Sequence, residues 1–204
     1  MRAKWSRLLP LLLVAAILPF AACGGDDDSG GKSFSEAGQV TKPGKQYTAT
    51  MRTSEGVIVV ELYADIAPET VNSFVFLAQE KFFDGVTFHR VVTGFVIQSG
   101  DPTGSGSGGP GYSTDDEPNQ RPNKRGTLAM AKAAGADDFG SQFFINLADN
   151  ASLDYNNQAG DKFYPFGEVV SGMDAVDAIG ASPVDANGKP NPPVILEQVT
   201  IEEK

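Results

Sequence analysis

The sequence predicts a mainly-β domain whose antiparallel sheet must either stack on a second layer or close on itself. Three observations lead there. Several short segments rich in β-branched and aromatic residues are spread between residues 47 and 201. Only two stretches, 68–81 and 173–179, space their apolar residues as helices do. Residues 45–204 are a usual length for one domain with a single core, and no internal repeat divides them.

In chain order, Arg2, Lys4 and Arg7 precede an apolar run over 8–22 and then Cys23. The run is shorter than the ~20 residues a spanning helix needs. Basic residues, a short apolar core and small residues describe a secretory signal, so 1–22 is expected to be removed on export. Phe20-Ala21-Ala22-Cys23 resembles the bacterial lipobox, with Phe20 where that motif usually has leucine. Cys23 is the only cysteine, which leaves no intramolecular disulfide and suits a lipid attachment point. The alternative is a simple signal with an incidental thiol. Residues 24–31 are glycine-rich and acidic, and 23–44 is expected to be a flexible tether between lipidated Cys23 and the domain at 45–204.

Without 1–22, which holds three of the 16 basic residues and no acidic one, 13 Lys+Arg face 26 Asp+Glu, a formal charge of −13. No basic block is available to neutralise phosphates, which argues against a nucleic-acid partner.

Segments 47–53 and 57–63 flank Ser54-Glu55-Gly56, a hairpin signal. Pro68 opens the first helix, in which Val71, Phe74, Val75 and Ala78 form the apolar stripe, with Glu69 and Lys81 matching the dipole. The central stretch Phe88-His89-Arg90-Val91-Val92-Thr93-Gly94-Phe95-Val96-Ile97-Gln98-Ser99-Gly100-Asp101 reads as two short strands meeting at Gly94. Further strands are expected at 127–131, 142–147, 166–170 and 194–201. The second helix carries Met173, Val176 and Ile179 and ends at Gly180.

Arg90 stands where a buried strand would take an aliphatic residue. Its guanidinium keeps its charge and needs acceptors, so beside Phe95 and Gln98 it points either to a partly apolar cleft with one cationic donor or to a solvated surface strand. With one histidine and one cysteine, zinc and thiol chemistry have almost nothing to work with. A serine triad would depend on His89, and no Gly-x-Ser-x-Gly elbow is present; His89 is expected to be a hydrogen-bonded structural residue. The glycine run 104–111 lacks the Lys-Ser/Thr of a P-loop and reads as a loop whose backbone closely approaches another group.

Phe88-His89-Arg90, Gly94-Phe95, Gln98-Ser99-Gly100-Asp101 and Gly140-Ser141-Gln142-Phe143-Phe144-Ile145 together resemble the cyclophilins, the peptidyl-prolyl cis/trans isomerases, in order and approximate spacing. The resemblance extends from about Tyr47 to Ile201. It implies a closed eight-stranded antiparallel barrel capped by two α-helices, with the active site on the outer face. It also implies isomerisation of Xaa-Pro bonds in unfolded or partly folded exported proteins, with neither cofactor nor metal.

By that resemblance Arg90 is the catalytic arginine, acting with Phe95 and Gln98, and Val96, Phe144 and Leu153 join Phe95 in the proline pocket. Gln142 would hold the substrate or Arg90, and Gly106, Ala131 and Lys132 would lie along the substrate backbone. Phe163 falls where the family usually has histidine or tyrosine. Lys132 stands in place of the family's asparagine, and Ser152 in place of the tryptophan of cyclosporin-sensitive members. The expectation is an exported, lipid-anchored, monomeric isomerase, with a non-catalytic proline-binding or chaperone module as the alternative. A solute-binding lipoprotein is poorly supported, because nothing suggests two α/β lobes.

Overall fold

The computed structural model describes residues 32–158 and 160–204. The expected signal peptide and Cys23 lie outside the described residues. The chain begins with a hairpin, β1 (Tyr47–Thr53) and β2 (Gly56–Leu62), in which Thr53 pairs with Gly56 and Ser54-Glu55 make the turn. Helix α1 (Pro68–Gln79) follows. Pro68 lacks an amide hydrogen that the first turn has no use for. The free amides of Glu69 and Thr70 donate to the carboxylate of Glu117 at 3.1 and 2.7 Å, so an anion from a distant loop closes the helix start.

The central stretch yields β3 (Val86–Thr87), β4 (Arg90–Val92) and β5 (Val96–Ser99), with Gly94 at φ 73° in the tight β4–β5 turn. Then come β6 (Thr114–Asp115), β7 (Thr127–Met130), β8 (Asp138–Phe139), β9 (Phe143–Asn146), β10 (Pro165–Ser171), helix α2 (Met173–Gly180) and β11 (Ile195–Glu203). Strands β6 and β8 form a separate two-stranded ladder.

The main sheet has nine strands in the order β3-β11-β1-β2-β10-β7-β9-β5-β4, with every ladder antiparallel. The closed eight-stranded barrel is therefore corrected to a curled nine-stranded sheet whose edge strands are not paired. The curl follows from connectivity. Edge strands β3 and β4 are consecutive in the chain, and only Phe88 and His89 separate them, so the two edges meet within about 11 Å. Hydrogen bonds there go to the 183–194 segment instead, Phe88 N–H to the Val194 carbonyl at 2.9 Å and Val91 N–H to the Gly188 carbonyl at 2.7 Å.

Inside the curl, Phe74 of α1 meets Phe83, Phe143 and Phe166 at ring distances of 5.1, 5.6 and 5.4 Å. Ile97, Leu128 and Ile145 are fully buried with them. Because side chains alternate across a strand, this inner row turns the intervening residues of β5, β7 and β9 to the outer face. Helix α1 packs against β11 and α2 against β2, β4 and β5.

Residues 32–44, expected to continue the tether, lie against the domain. The Phe34 ring packs edge-on against Phe76 at 5.1 Å. The Asn72 side-chain oxygen accepts from the amides of Val40 and Thr41 at 2.9 and 3.0 Å. Two apolar anchors, Phe34 and Val40, distinguish this stretch from the Gly/Asp run before it.

Candidate active site on the outer face

Strand register builds the site. Arg90 of β4 pairs with Gln98 of β5, Gln98 with Phe144 of β9, and Phe144 with Ala129 of β7, so one row crosses four strands. Directly opposed residues share a face, and this is the face opposite the core. Val96, Ala129 and Phe144 are buried together there as a second apolar cluster, against which Phe95, Ala131, Leu153 and Phe163 pack. The Phe163 ring stands edge-on to Phe144 at 5.5 Å.

The polar half of the row is a relay. Arg90 Nη1 donates to Gln98 Oε1 at 3.3 Å, Gln98 Nε2 to Gln142 Oε1 at 3.0 Å, and Gln142 Nε2 to the Gly108 carbonyl at 2.9 Å. Each glutamine both accepts and donates, so the two amides are oriented in series from the glycine loop to the guanidinium. Arg90 is exposed at the end of the chain and has donors left for a ligand. Thus it is neither isolated in solvent nor enclosed. It stands at the rim of an apolar cluster.

A groove of about 950 Å³ adjoins the cluster, lined among others by Gly106, Gly108, Tyr112, Ala131, Ala136 and Gln142. The glycine loop is shaped from its start by Asp101, which is fully buried. Its carboxylate accepts from the amide and hydroxyl of Thr103, both at 2.7 Å, and from the Gly106 amide at 2.6 Å. Burial works to raise the Asp101 pKa, but these hydrogen bonds prevail and hold it at about 2. A Cβ on Gly108 would overlap that carboxylate, so glycine is required where the loop folds back.

Lys132 does not extend toward the groove as a free cation. Its ammonium is ion-paired with Asp116, its side chain is 4% exposed, and it lies 5.6 Å from the centre of the Phe163 ring. His89 also differs from expectation. It is buried and neither ring nitrogen has a well-formed hydrogen bond among the described residues. Burial, the largest influence, lowers its pKa against the opposing effect of Asp101 and Gln142. It packs beneath the glycine loop, its ring 3.9 Å from the Cβ position of Gly106.

Three buried asparagines, which sequence reasoning missed, tie the pocket walls together. Asn123 Nδ2 donates to the carbonyls of Leu153 and Phe163 at 3.0 and 2.9 Å. Asn150 Nδ2 donates to the Phe95 carbonyl at 2.9 Å and to Asn146 Oδ1 at 2.7 Å, and Asn146 Nδ2 reaches Asn123 Oδ1 at 3.2 Å. Phe95, Leu153 and Phe163 come from three different loops, and this amide chain fixes their relative positions. The substrate-site residues expected from the sequence therefore gather around the cluster and groove, Lys132 lining the groove while ion-paired with Asp116, and Cys23 lies outside the described residues.

A family model described as cyclophilin-type peptidyl-prolyl cis-trans isomerase matches residues 48–201. The chain belongs to this family. This cyclophilin is 40% identical over 173 residues to peptidyl-prolyl cis-trans isomerase A of Mycobacterium tuberculosis, covering 76% of this chain and 91% of the relative. It is 43% identical over 135 residues to the peptidyl-prolyl cis-trans isomerase of Helicobacter pylori, covering 64% and 78%. Among solved structures, a cyclophilin-type isomerase of Cryptosporidium parvum superposes with a TM-score of 0.71 at 28% identity, over 78% of this chain and 99% of that one. The same protein in the presence of the dipeptide Ala-Pro gives a TM-score of 0.70 at 29% identity, over 77% and 99%.

Proposed function

We propose that this cyclophilin catalyses cis/trans exchange of Xaa-Pro bonds, holding the proline ring in the Phe95, Val96, Phe144, Leu153 and Phe163 cluster while Arg90 donates to the prolyl nitrogen. The observation that carries the reading is the Gln142–Gln98–Arg90 relay, which ends in a guanidinium at the rim of an apolar cluster. The isomerisation barrier, ~18–20 kcal/mol for peptide bonds in general, comes from C–N double-bond character. A donor directed at the nitrogen favours the twisted state, in which the lone pair is localised there. No covalent bond to the enzyme is needed. A charge-assisted hydrogen bond contributes roughly 1.5–3 kcal/mol, which is about ten- to a hundredfold in rate. The remainder comes from positioning by the cluster and groove.

The leader and Cys23 support a protein that is exported, lipid-anchored and active on unfolded or partly folded chains outside the cytoplasm, and the lack of a coiled-coil pattern or long exposed apolar run in the sequence favours a monomer. Fatty-acid label should enter the parent and not Cys23→Ser. The direct test of the chemistry is the cis-to-trans rate of a short Xaa-Pro peptide with the chain from residue 24 and with Arg90→Ala. Uncatalysed exchange takes tens to hundreds of seconds at ~25 °C. Acceleration that falls about ten- to a hundredfold in a folded Arg90→Ala variant is the expected result. Peptide binding without acceleration would refute the isomerase and leave a proline-recognition module.

A further inference from the structure

The segment 32–44 precedes the residues matched by the family model, yet it reaches the catalytic face. It runs along α1 as a strap. Lys32 Nζ donates to the Glu80 carbonyl at 2.5 Å, the Phe34 ring sits against Phe76 and Phe82, and Asn72 Nδ2 donates to the Gly38 carbonyl at 3.0 Å. The Asn72 oxygen receives the amides of Val40 and Thr41, and Lys42 ion-pairs with Glu203 at 3.0 Å. One contact leaves this line. The Phe34 amide donates to the Pro110 carbonyl at 2.7 Å.

Pro110 belongs to the loop that walls the groove. Gly111 follows at φ 93°, packed so closely on Ser33 and Phe34 that a Cβ there would overlap both. Pro110 in turn covers Gly140, whose Cβ position lies 3.1 Å from the proline ring, and Gln142 of the relay is two residues further on. The loop carrying Gly106 and Gly108 is thus held by the Asp101 carboxylate where it begins, by Gln142 at Gly108, and where it ends by the strap and by the Tyr112 hydroxyl, 2.9 Å from that of Ser73 on α1.

We infer that Phe34 is a positioning residue for the extended substrate: the strap holds the wall of the groove formed by the 106–111 loop in the arrangement that a polypeptide longer than Xaa-Pro must meet. This rests on the isomerase reading for its kinetic consequence, but not for its structural one. A blocked Xaa-Pro dipeptide fills only the apolar cluster. A peptide with three residues on each side of the proline also lies along the groove, and it should feel the loop's position.

The test compares the two peptides with Phe34→Ala, which removes the ring, and Phe34→Pro, which removes ring and amide donor together. Ile201→Ala, on the far strand β11, supplies a destabilised control. With Phe34→Pro, kcat/KM for the long peptide should fall about fivefold, the value of one hydrogen bond, chiefly through KM, with the dipeptide rate within about twofold of the parent. Phe34→Ala should fall between. Backbone amides of 106–109 should exchange faster with deuterium in Phe34→Pro and stay unchanged in Ile201→Ala. A long-to-dipeptide ratio equal to the parent's, or an equal drop in Ile201→Ala, would overturn the inference and leave the strap a stabilising element only. If the parent accelerates neither peptide, the isomerase reading fails by itself. The strap is then decided by exchange alone: unchanged protection at 106–109 overturns it, and loss of protection supports it.

Discussion

Replacing Asp101 by asparagine tests whether a buried anion shapes the groove. The substitution keeps the size and removes the charge. Thr103 offers two donors to one carboxylate oxygen, and the Gly106 amide and Ser105 hydroxyl, at 2.6 and 3.4 Å, approach the other. An asparagine has one accepting oxygen, so one pair of donors would face an NH2 group, and the pair that remains loses its charge assistance. At roughly 1.5–3 kcal/mol per bond to a charged group, the loss should be about 3 kcal/mol. For a domain of this size that is a fall of about 6–12 °C in Tm at pH 7.

The pH dependence of this gap is the sharper test. The folded Asp101 pKa of about 2 lies below the ordinary carboxyl value of 3.8, so its contribution is complete above the unfolded value and is lost as pH falls through the folded one. The stability gap between parent and Asp101→Asn should narrow by roughly 2 kcal/mol between pH 5 and pH 2. Urea melts at each pH measure it. A gap under about 1 kcal/mol at pH 7, or one that does not change with pH, would refute the account.

Two further outcomes are expected. Lys132→Met leaves Asp116 without its partner at a site where the Asp116 side chain is 16% exposed; it should cost about 3 kcal/mol, and Lys132→Met/Asp116→Leu should restore most of it, in a double-mutant cycle read by denaturant melts. Ser152 is exposed in a 3₁₀ turn, Ala151–Leu153, so cyclosporin should bind weakly, and Ser152→Trp should tighten inhibition at least about tenfold; nanomolar inhibition of the parent would refute this.

The parts of the fold that could be read in the sequence are those with a local period. Helix α1 shows its apolar stripe and its opening proline, and the β1–β2 hairpin shows its turn. Strands β3, β6 and β8 have two residues each, too few to show alternation, and they exist because of partners elsewhere in the chain. The strap was hidden by its composition. Lysine, serine and glycine around Phe34 and Val40 read as tether until α1 is seen to offer Phe76 and Asn72 to them. The count of strands was unreadable because pairing at the curled edges depends on the 183–194 segment, which carries no strand pattern of its own.

The site divides along a similar line. Arg90, Gln98, Phe144 and Val96 lie in short motifs because register sets them on one face, and a register of adjacent strands is written in a few consecutive residues. Their supports come from far away: Gln142 is 34 positions from Gly108, Lys132 is 16 from Asp116, and Asn123 is 40 from Phe163. In most of these contacts the far partner is a backbone carbonyl. Any residue supplies one, so it leaves no mark in the sequence, and the asparagines that seek such carbonyls read as ordinary turn formers. The relay that ends at Arg90 thus starts from main chain, the Gly108 carbonyl that Gln142 meets, and only its side-chain half, Gln98 and Gln142, is written in the motifs.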